Sequence, residues 1–169
     1  MSVTEKDTLS DSISLRPVRE EDGPFLLDLY ASTREEELAC VPWSQEEKRH
    51  FLESQFEAQQ THYQEHFSDS DWMVILQHKK PAGRLYLGRW EEEFRIIDIA
   101  LLPAYRGKGI GGFLLAEILE EARQASKPVR IHVEKFNRAR RLYLRLGFQA
   151  ISDNGVYDFM EWNPNNGNE

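Results

Sequence analysis

Cysteine occurs once, at Cys40, so the chain can close no internal disulfide and assemble no cysteine metal cluster. No base neighbours that thiol in the sequence, and Cys-Val-Pro-Trp matches no catalytic signature. Its reading is a packed or loop thiol rather than a nucleophile. The five histidines show no His-Glu-x-x-His or other zinc spacing, and no metal is expected. Long apolar runs are missing too. Nothing approaches the roughly 20 residues of a membrane span, and the N-terminus lacks the basic-then-hydrophobic order of a secretion signal. The expectation is a cytoplasmic protein with no membrane partner. Positive charge is in deficit: 21 Lys and Arg against 29 Asp and Glu give a net charge of -8 and a pI near 5.2. That balance disfavours nonspecific binding of nucleic acid, although Arg138, Arg140, Arg141 and Arg145 are locally basic.

What is present is enough for one core. A chain of 169 residues with 40% hydrophobic content is short for two domains. A single domain over 1–169 is expected, with its core at about 12–162 and polar tails over 1–10 and 163–169. Alternation in Ser12–Val18 suits a first strand. A helix follows from Asp22 with Pro24 in its first turn, and a second starts at Ser44, where Ser-Gln-Glu-Glu47 reads as a capping box. A meander of three strands comes next: Asp71–Gln77, Arg84–Trp90 after a Lys-Pro-Ala-Gly turn, and Phe94–Leu102. Helix 109–125, strand Val129–Glu134, and helix 138–146 ending at Gly147 precede two last strands, Phe148–Ser152 and Gly155–Trp162, joined at Asp153-Asn154-Gly155.

The densest information lies in Leu101–Leu115, Leu-Leu-Pro-Ala-Tyr-Arg-Gly-Lys-Gly-Ile-Gly-Gly-Phe-Leu-Leu. An apolar strand runs through a glycine-rich turn into a helix. Gly107, Gly109, Gly111 and Gly112 let backbone amides approach a ligand, Arg106 and Lys108 add positive charge, and the helix start brings unpaired N–H groups. That combination is an anion cradle, and a phosphorylated cofactor is its natural occupant. A flexible surface turn would not need so many glycines between two ordered elements. The spacing of Gly107, Gly109 and Gly112, with Glu134 further on, also satisfies the dinucleotide fingerprint. Its position argues against that reading, because too little chain follows to complete a Rossmann sheet.

The run resembles the acetyl-coenzyme A signature of the GNAT superfamily of N-acetyltransferases, with Arg106, Gly109 and Gly111 at its defining places. A second segment similar to that family follows: Asn137-Arg-Ala-Arg-Arg-Leu-Tyr143-Leu-Arg-Leu-Gly147-Phe148. The resemblance is sharp from about Ile96 to Phe148 and rests on element order before that. It implies an α/β (α+β) GNAT fold: a mixed, mostly antiparallel sheet of about seven strands with splayed central strands, and four helices. It further implies acetyl-CoA as cosubstrate, with its pantetheine arm against the backbone of Ile99, Ala100 and Leu101. The pyrophosphate would lie on Arg106, Gly107, Lys108, Gly109, Ile110, Gly111 and Gly112, and Asn137 would cap its helix and touch the cofactor.

Tyr143 occupies the family's general-acid position. For the base, two residues compete. His132 stands where some peptide amino-terminal acetyltransferases of the superfamily carry a carboxylate, and its ordinary pKa near 6.5 suits proton abstraction. Asp98 is an acid inside the apolar strand Ile96-Ile-Asp-Ile-Ala, and must be paired, exposed to a cleft, or catalytic. Each also has a structural reading, His132 as a sheet-surface residue and Asp98 as the ion-pair partner of an arginine such as Arg84. Both stay open here. The acceptor would be a small-molecule amine or a peptide amino group, met by residues such as Trp43, His50, Tyr63, Trp90 and Tyr157, in a protein that is a monomer or a homodimer. The competing classes are a noncatalytic acyl-CoA-binding or sensing module of the same fold and, on the glycine spacing alone, a nicotinamide-dependent oxidoreductase.

Overall fold

Strand-period alternation along the chain yields β1 (Ile13–Pro17), β2 (Asp71–Gln77), β3 (Lys80–Arg89), β4 (Phe94–Leu101), β5 (Val129–Glu134), β6 (Gln149–Asp153) and β7 (Tyr157–Trp162) in a computed structural model that describes residues 9–165. They hydrogen-bond in the order β1-β2-β3-β4-β5-β7-β6. The pairs are antiparallel except β4 with β5. This is the mixed, mostly antiparallel sheet that the family resemblance implies.

Helices are α1 (Gly23–Thr33), α2 (Glu35–Ala39), α3 (Gln45–His66), α4 (Ile110–Ala125) and α5 (Arg140–Arg145). α1 enters through Pro24 at its first turn and buries Leu26, Leu29 and Tyr30. Ser44 Oγ accepts the Glu47 N–H (3.1 Å), so the expected N-cap of α3 is in place. The short α2 is an addition to the four helices expected. Three consecutive glutamates open it and only Leu38 is buried, so it carries no apolar period to read.

Three further differences are local. Residues 9–12 are helical and Leu9 lies in the core, where the sequence had suggested a frayed tail and a strand starting at Ser12; positions 1–8 of that tail lie outside the described residues. The hairpin between β2 and β3 turns at His78 and Lys79, with φ of +49° and +68°, and not at Lys80–Gly83. Both turn residues are left-handed, as a tight hairpin matching strand twist requires. Pro81 then sits inside β3 beside a register shift between Ile75 and Leu76, a bulge that tolerates its missing N–H.

One face of the sheet carries α4 and α5. Ile110, Leu114, Leu115 and Ile118 of α4 and Tyr143 of α5 pack with Leu85, Ile96, Ile131, Val133, Phe148 and Met160. At ~25 cal/mol per Å² of apolar surface, burying each of these side chains stabilises the fold by about 1.5–3 kcal/mol. On the other face α3 covers the first half of the sheet, with Tyr63 edge-on to Tyr86 (centroids 5.7 Å apart). The helices α1, α2 and α3 join one another through Tyr30, Leu38, Leu52 and Phe56.

The central pair departs from regular pairing. In the β3–β4 register Tyr86 faces Asp98 and Leu87 faces Ile96, which leaves Ile97 as an extra residue on β4. Such a bulge bends its strand. β4 and β5 accordingly pair only at Phe94 with Val129, Arg95 with Arg130, and Ile96 with Ile131. Beyond that point β4 continues along β3 to Leu101, and β5 continues along β7 to Glu134. The two strands part, leaving a wedge-shaped gap.

Candidate active site

The gap opens toward the glycine turn. Gly107 and Gly109 have φ of +72° and +87°, a region L-residues reach only with strain. Gly109 is the N-cap of α4, and the first amide paired into the helix is Phe113, to the Gly109 carbonyl at 3.0 Å. The amides of Ile110, Gly111 and Gly112 precede that bond and lack a helical acceptor. No side chain caps this end and no acid lies in the first turn. A helix start without negative charge of its own leaves its partial positive charge for an outside anion. A Cβ at Gly107 or Gly111 would meet nothing within 4 Å. The concave side of the turn is therefore open, and its residues fit a pyrophosphate.

Arg106 and Lys108 are both exposed, but their positions differ. Arg106 Nε donates to the Leu101 carbonyl (2.9 Å) and Nη2 to Ser32 Oγ (3.3 Å), so this arginine ties the loop to the end of β4 and to α1. Along β4 the peptide groups alternate. Leu102 N–H donates to the Ala82 carbonyl (2.8 Å), and a side chain at Gly83 would run into the carbonyl oxygen of Ala100. The main chain of Ala100 thus turns toward β3, while that of Ile99 and Leu101 turns toward the gap. Of the three residues expected to offer backbone groups there, two do so, and the Leu101 carbonyl already accepts from Arg106.

Asn137 Oδ1 accepts the Ala139 N–H (2.8 Å) and the Asn137 carbonyl accepts from Arg140 (3.1 Å), so this residue starts the turn into α5. Tyr143, on the α4–α5 face, is 3% exposed and lies edge-on to Phe148 with centroids 5.6 Å apart. Burial, and then the charge of Asp98, push its phenol well above the ordinary tyrosine value. It holds its proton at neutral pH. Gly147, with φ +102°, ends α5 as the sequence indicates.

On the opposite face, His132 and Asp98 stand on the two strands that part. The Asp98 carboxylate accepts from Arg84 Nη2 and, at 3.3 Å, from Tyr63 Oη. Arg84 is 2% exposed, and Gln59 Oε1 takes another of its hydrogen bonds (2.8 Å). His132 is stacked on Phe159, its partner across the β5–β7 ladder, with centroids 4.4 Å apart and planes at 18°. Burial, and then Arg95, hold its imidazole below the usual histidine value; Glu93 opposes them. The imidazole is uncharged at pH 7.

The aromatic candidates for acceptor contact are dispersed. Tyr63 bonds Asp98; Tyr157 is 39% exposed near Glu134, Arg34 and Glu37. Trp43 and His50 line one open recess of ≈ 320 Å³ on the outer side of α3, with Glu47, Phe51 and Ser54. Trp90 lies against Phe67 with planes at 6° and belongs to packing. Arg95 went unremarked in the sequence, although an arginine between Phe94 and Ile96 in an apolar strand carries the same signal as Asp98.

Comparison with known proteins agrees with this geometry. The family model of the Acetyltransferase (GNAT) family matches residues 26–148, and the chain belongs to that family. Comparison with curated protein sequences finds no match. Among solved structures, the PaiA N-acetyltransferase from Thermoplasma acidophilum in complex with coenzyme A is 19% identical with a TM-score of 0.68, covering 90% of this chain and 99% of that one. An acetyltransferase from Thermus thermophilus is 18% identical with a TM-score of 0.66, covering 90% and 97%. A GNAT family acetyltransferase from Elizabethkingia anophelis with acetyl-CoA bound is 18% identical with a TM-score of 0.57, covering 90% and 99%. At these identities the likeness shows the fold. No helix of the described residues is long and apolar enough to cross a membrane, and no group of three or more metal-ligating side chains stands among them.

Proposed function

We propose that the chain transfers the acetyl group of acetyl-CoA to an amine, of a small molecule or of a peptide or protein, by direct transfer in a ternary complex. The observation that carries this reading is the β4–β5 gap, with a proton-holding tyrosine on one face of the sheet, an uncharged histidine on the other, and an open anion cradle at its end.

Acetyl-CoA, when bound, supplies an activated acyl group as a thioester. The amides of residues 107–112 and Lys108 would hold its pyrophosphate, and the gap-facing main chain of Ile99 and Leu101 would hold its pantetheine arm. Tyr143 Oη holds a proton for the departing sulfur, and its raised pKa keeps that proton in place at neutral pH. A neutral ring nitrogen of His132 takes the proton of the attacking amine, directly or through one water. Asp98 is engaged by Arg84 and Tyr63. With its carboxylate taken up by those two partners, Asp98 is not free to meet an amine, which favours His132 for that task.

The test is calorimetry with acetyl-CoA and NAD side by side, followed by coenzyme A release with a panel of amines of different pKa. Binding of acetyl-CoA but not NAD, with amine-dependent release, is the expected result. Binding of NAD alone would overturn the assignment. Binding of acetyl-CoA without release for any amine would make the chain a noncatalytic binding module.

A further inference from the structure

A stack of flat groups crosses the face of the sheet that carries His132. Phe67, the residue after α3, lies parallel to Trp90, with ring centroids 6.1 Å apart. The guanidinium carbon of Arg95 is 5.6 Å from the Trp90 centroid and 4.8 Å from that of Phe159. Phe159 in turn carries His132 at 4.4 Å. Arg95 and the imidazole therefore share one aromatic plate, and the charge and the ring lie no more than about 9 Å apart.

Arg95 is itself fixed. Its Nη2 donates to Glu93 Oε1 (2.7 Å), and Glu93, 7% exposed, also accepts from Arg130 Nη1 (2.8 Å), whose Nε donates to Glu161 (2.8 Å). Trp90 is folded over Gly88, where any side chain would strike its indole ring. These contacts cost ordering entropy and buried charge, yet the row ends on an imidazole at the edge of the gap. The charged and titratable groups facing that ring are Arg95 and Asp98 on β4, Glu93 in the preceding turn, Arg130 and Glu134 on its own strand, and Tyr157 and Glu161 on β7. Arg34 and Glu37 stand at the rim beside Tyr157. Asp98 is taken by Arg84, and the carboxylates of Glu93 and Glu161 by arginines.

From this arrangement we infer that Arg95 is a positioning residue for His132: gripped between Trp90 and Phe159, it fixes the plate on which the imidazole lies and opposes the ring's protonation. The inference concerns the state of His132 and takes its catalytic meaning from the base proposed above. The downward direction of the His132 pKa agrees with it.

The experiment is a titration of the His132 ring by NMR in the full chain, its resonance assigned with His132→Gln, alongside the pH profile of kcat/KM. In Arg95→Gln the His132 midpoint is expected to shift upward, with a smaller shift in Arg95→Lys, which keeps the charge. The acid limb of kcat/KM is expected to move up by the same amount. A midpoint that moves while the rate limb stays put supports the inference and removes His132 as the base. A midpoint unchanged in folded Arg95→Gln overturns the inference. Should that variant not fold, Arg95→Met, which keeps an unbranched stem between the rings and removes the charge, takes its place; an upward shift there supports the inference, and an unchanged midpoint overturns it.

Discussion

Replacing Asp98 with asparagine distinguishes a carboxylate that works on substrate from one that holds a buried cation. The side chains are nearly isosteric, so packing is conserved and the change is one of charge. Arg84 is 2% exposed, with Nε and Nη1 buried and without partners among the described residues, and its salt bridge is to Asp98. Removing one member of a buried pair costs about 3–5 kcal/mol, chiefly because the other charge is left uncompensated. The Asp98 side chain keeps 18% of its exposure, and the amide oxygen can still accept from Arg84, so the low end, about 3 kcal/mol, applies. For a chain of this size, that lowers the melting temperature by about 6–12 °C. Thermal unfolding by circular dichroism measures it, with kcat/KM taken well below both midpoints. Activity of the folded variant should stay within a few-fold of the parent. Arg84→Met combined with Asp98→Asn should recover much of the loss, since an uncharged pair replaces the orphaned cation. A melting temperature unmoved within about 1 °C, together with turnover reduced ~10²-fold, would refute the reasoning and return Asp98 to the reaction.

Three other outcomes follow from the same geometry. Tyr143→Phe keeps the ring that meets Phe148 and removes the proton held at Oη; steady-state kinetics should show kcat falling ~10²-fold with acetyl-CoA affinity little changed. Gly109→Asp places a side chain at φ +87° and a carboxylate in the anion cradle. It should cost about 1–2 kcal/mol in strain and abolish the rise in melting temperature that acetyl-CoA gives. Asp22 accepts from Arg16 Nη1 and Nη2, each at 2.8 Å, and from the Arg19 N–H at 2.7 Å. Led by Arg16, these contacts hold its carboxyl below the usual range. Its stabilisation is therefore complete above the unfolded value, about 3.9, and is lost as pH falls through the folded one. Urea midpoints measured from pH 5 to pH 3 should fall less steeply in Asp22→Asn than in the parent.

The legible parts of the molecule are those whose physics is local. Four glycines within residues 107–112, the Gly147 helix end and the Asp153-Asn154-Gly155 hairpin each announce a backbone geometry that few residues can adopt. The His78–Lys79 turn does not, because its left-handed residues are neither glycine nor asparagine, and the nearby Pro81 and Gly83 draw the turn to themselves. α2 is too short for a period of 3.6 to show. In the site, Asp98 stands out as a charge in an apolar strand, and Arg84 was its foreseeable partner. The grip of Arg95 on the plate beneath His132 joins residues from α3's end, β4, β5 and β7, and no spacing along the chain encodes it.

The seam between β4 and β5 is three residue pairs long, between a four-stranded and a three-stranded antiparallel unit that α4 and the Glu93–Arg130 ion pair also connect. The meander β2–β3–β4 and the hairpin β6–β7 pair strands adjacent in sequence and can form early, whereas the seam requires a parallel crossover. Mechanically, the native molecule is two stiff plates hinged along a short edge. Opening fluctuations run along that hinge at a lower free energy than unfolding of either plate, so amide exchange should be fastest at the lips of the wedge. A ligand that hydrogen-bonds one lip and packs on the other acts as a missing strand, bracing the two plates beyond the short seam.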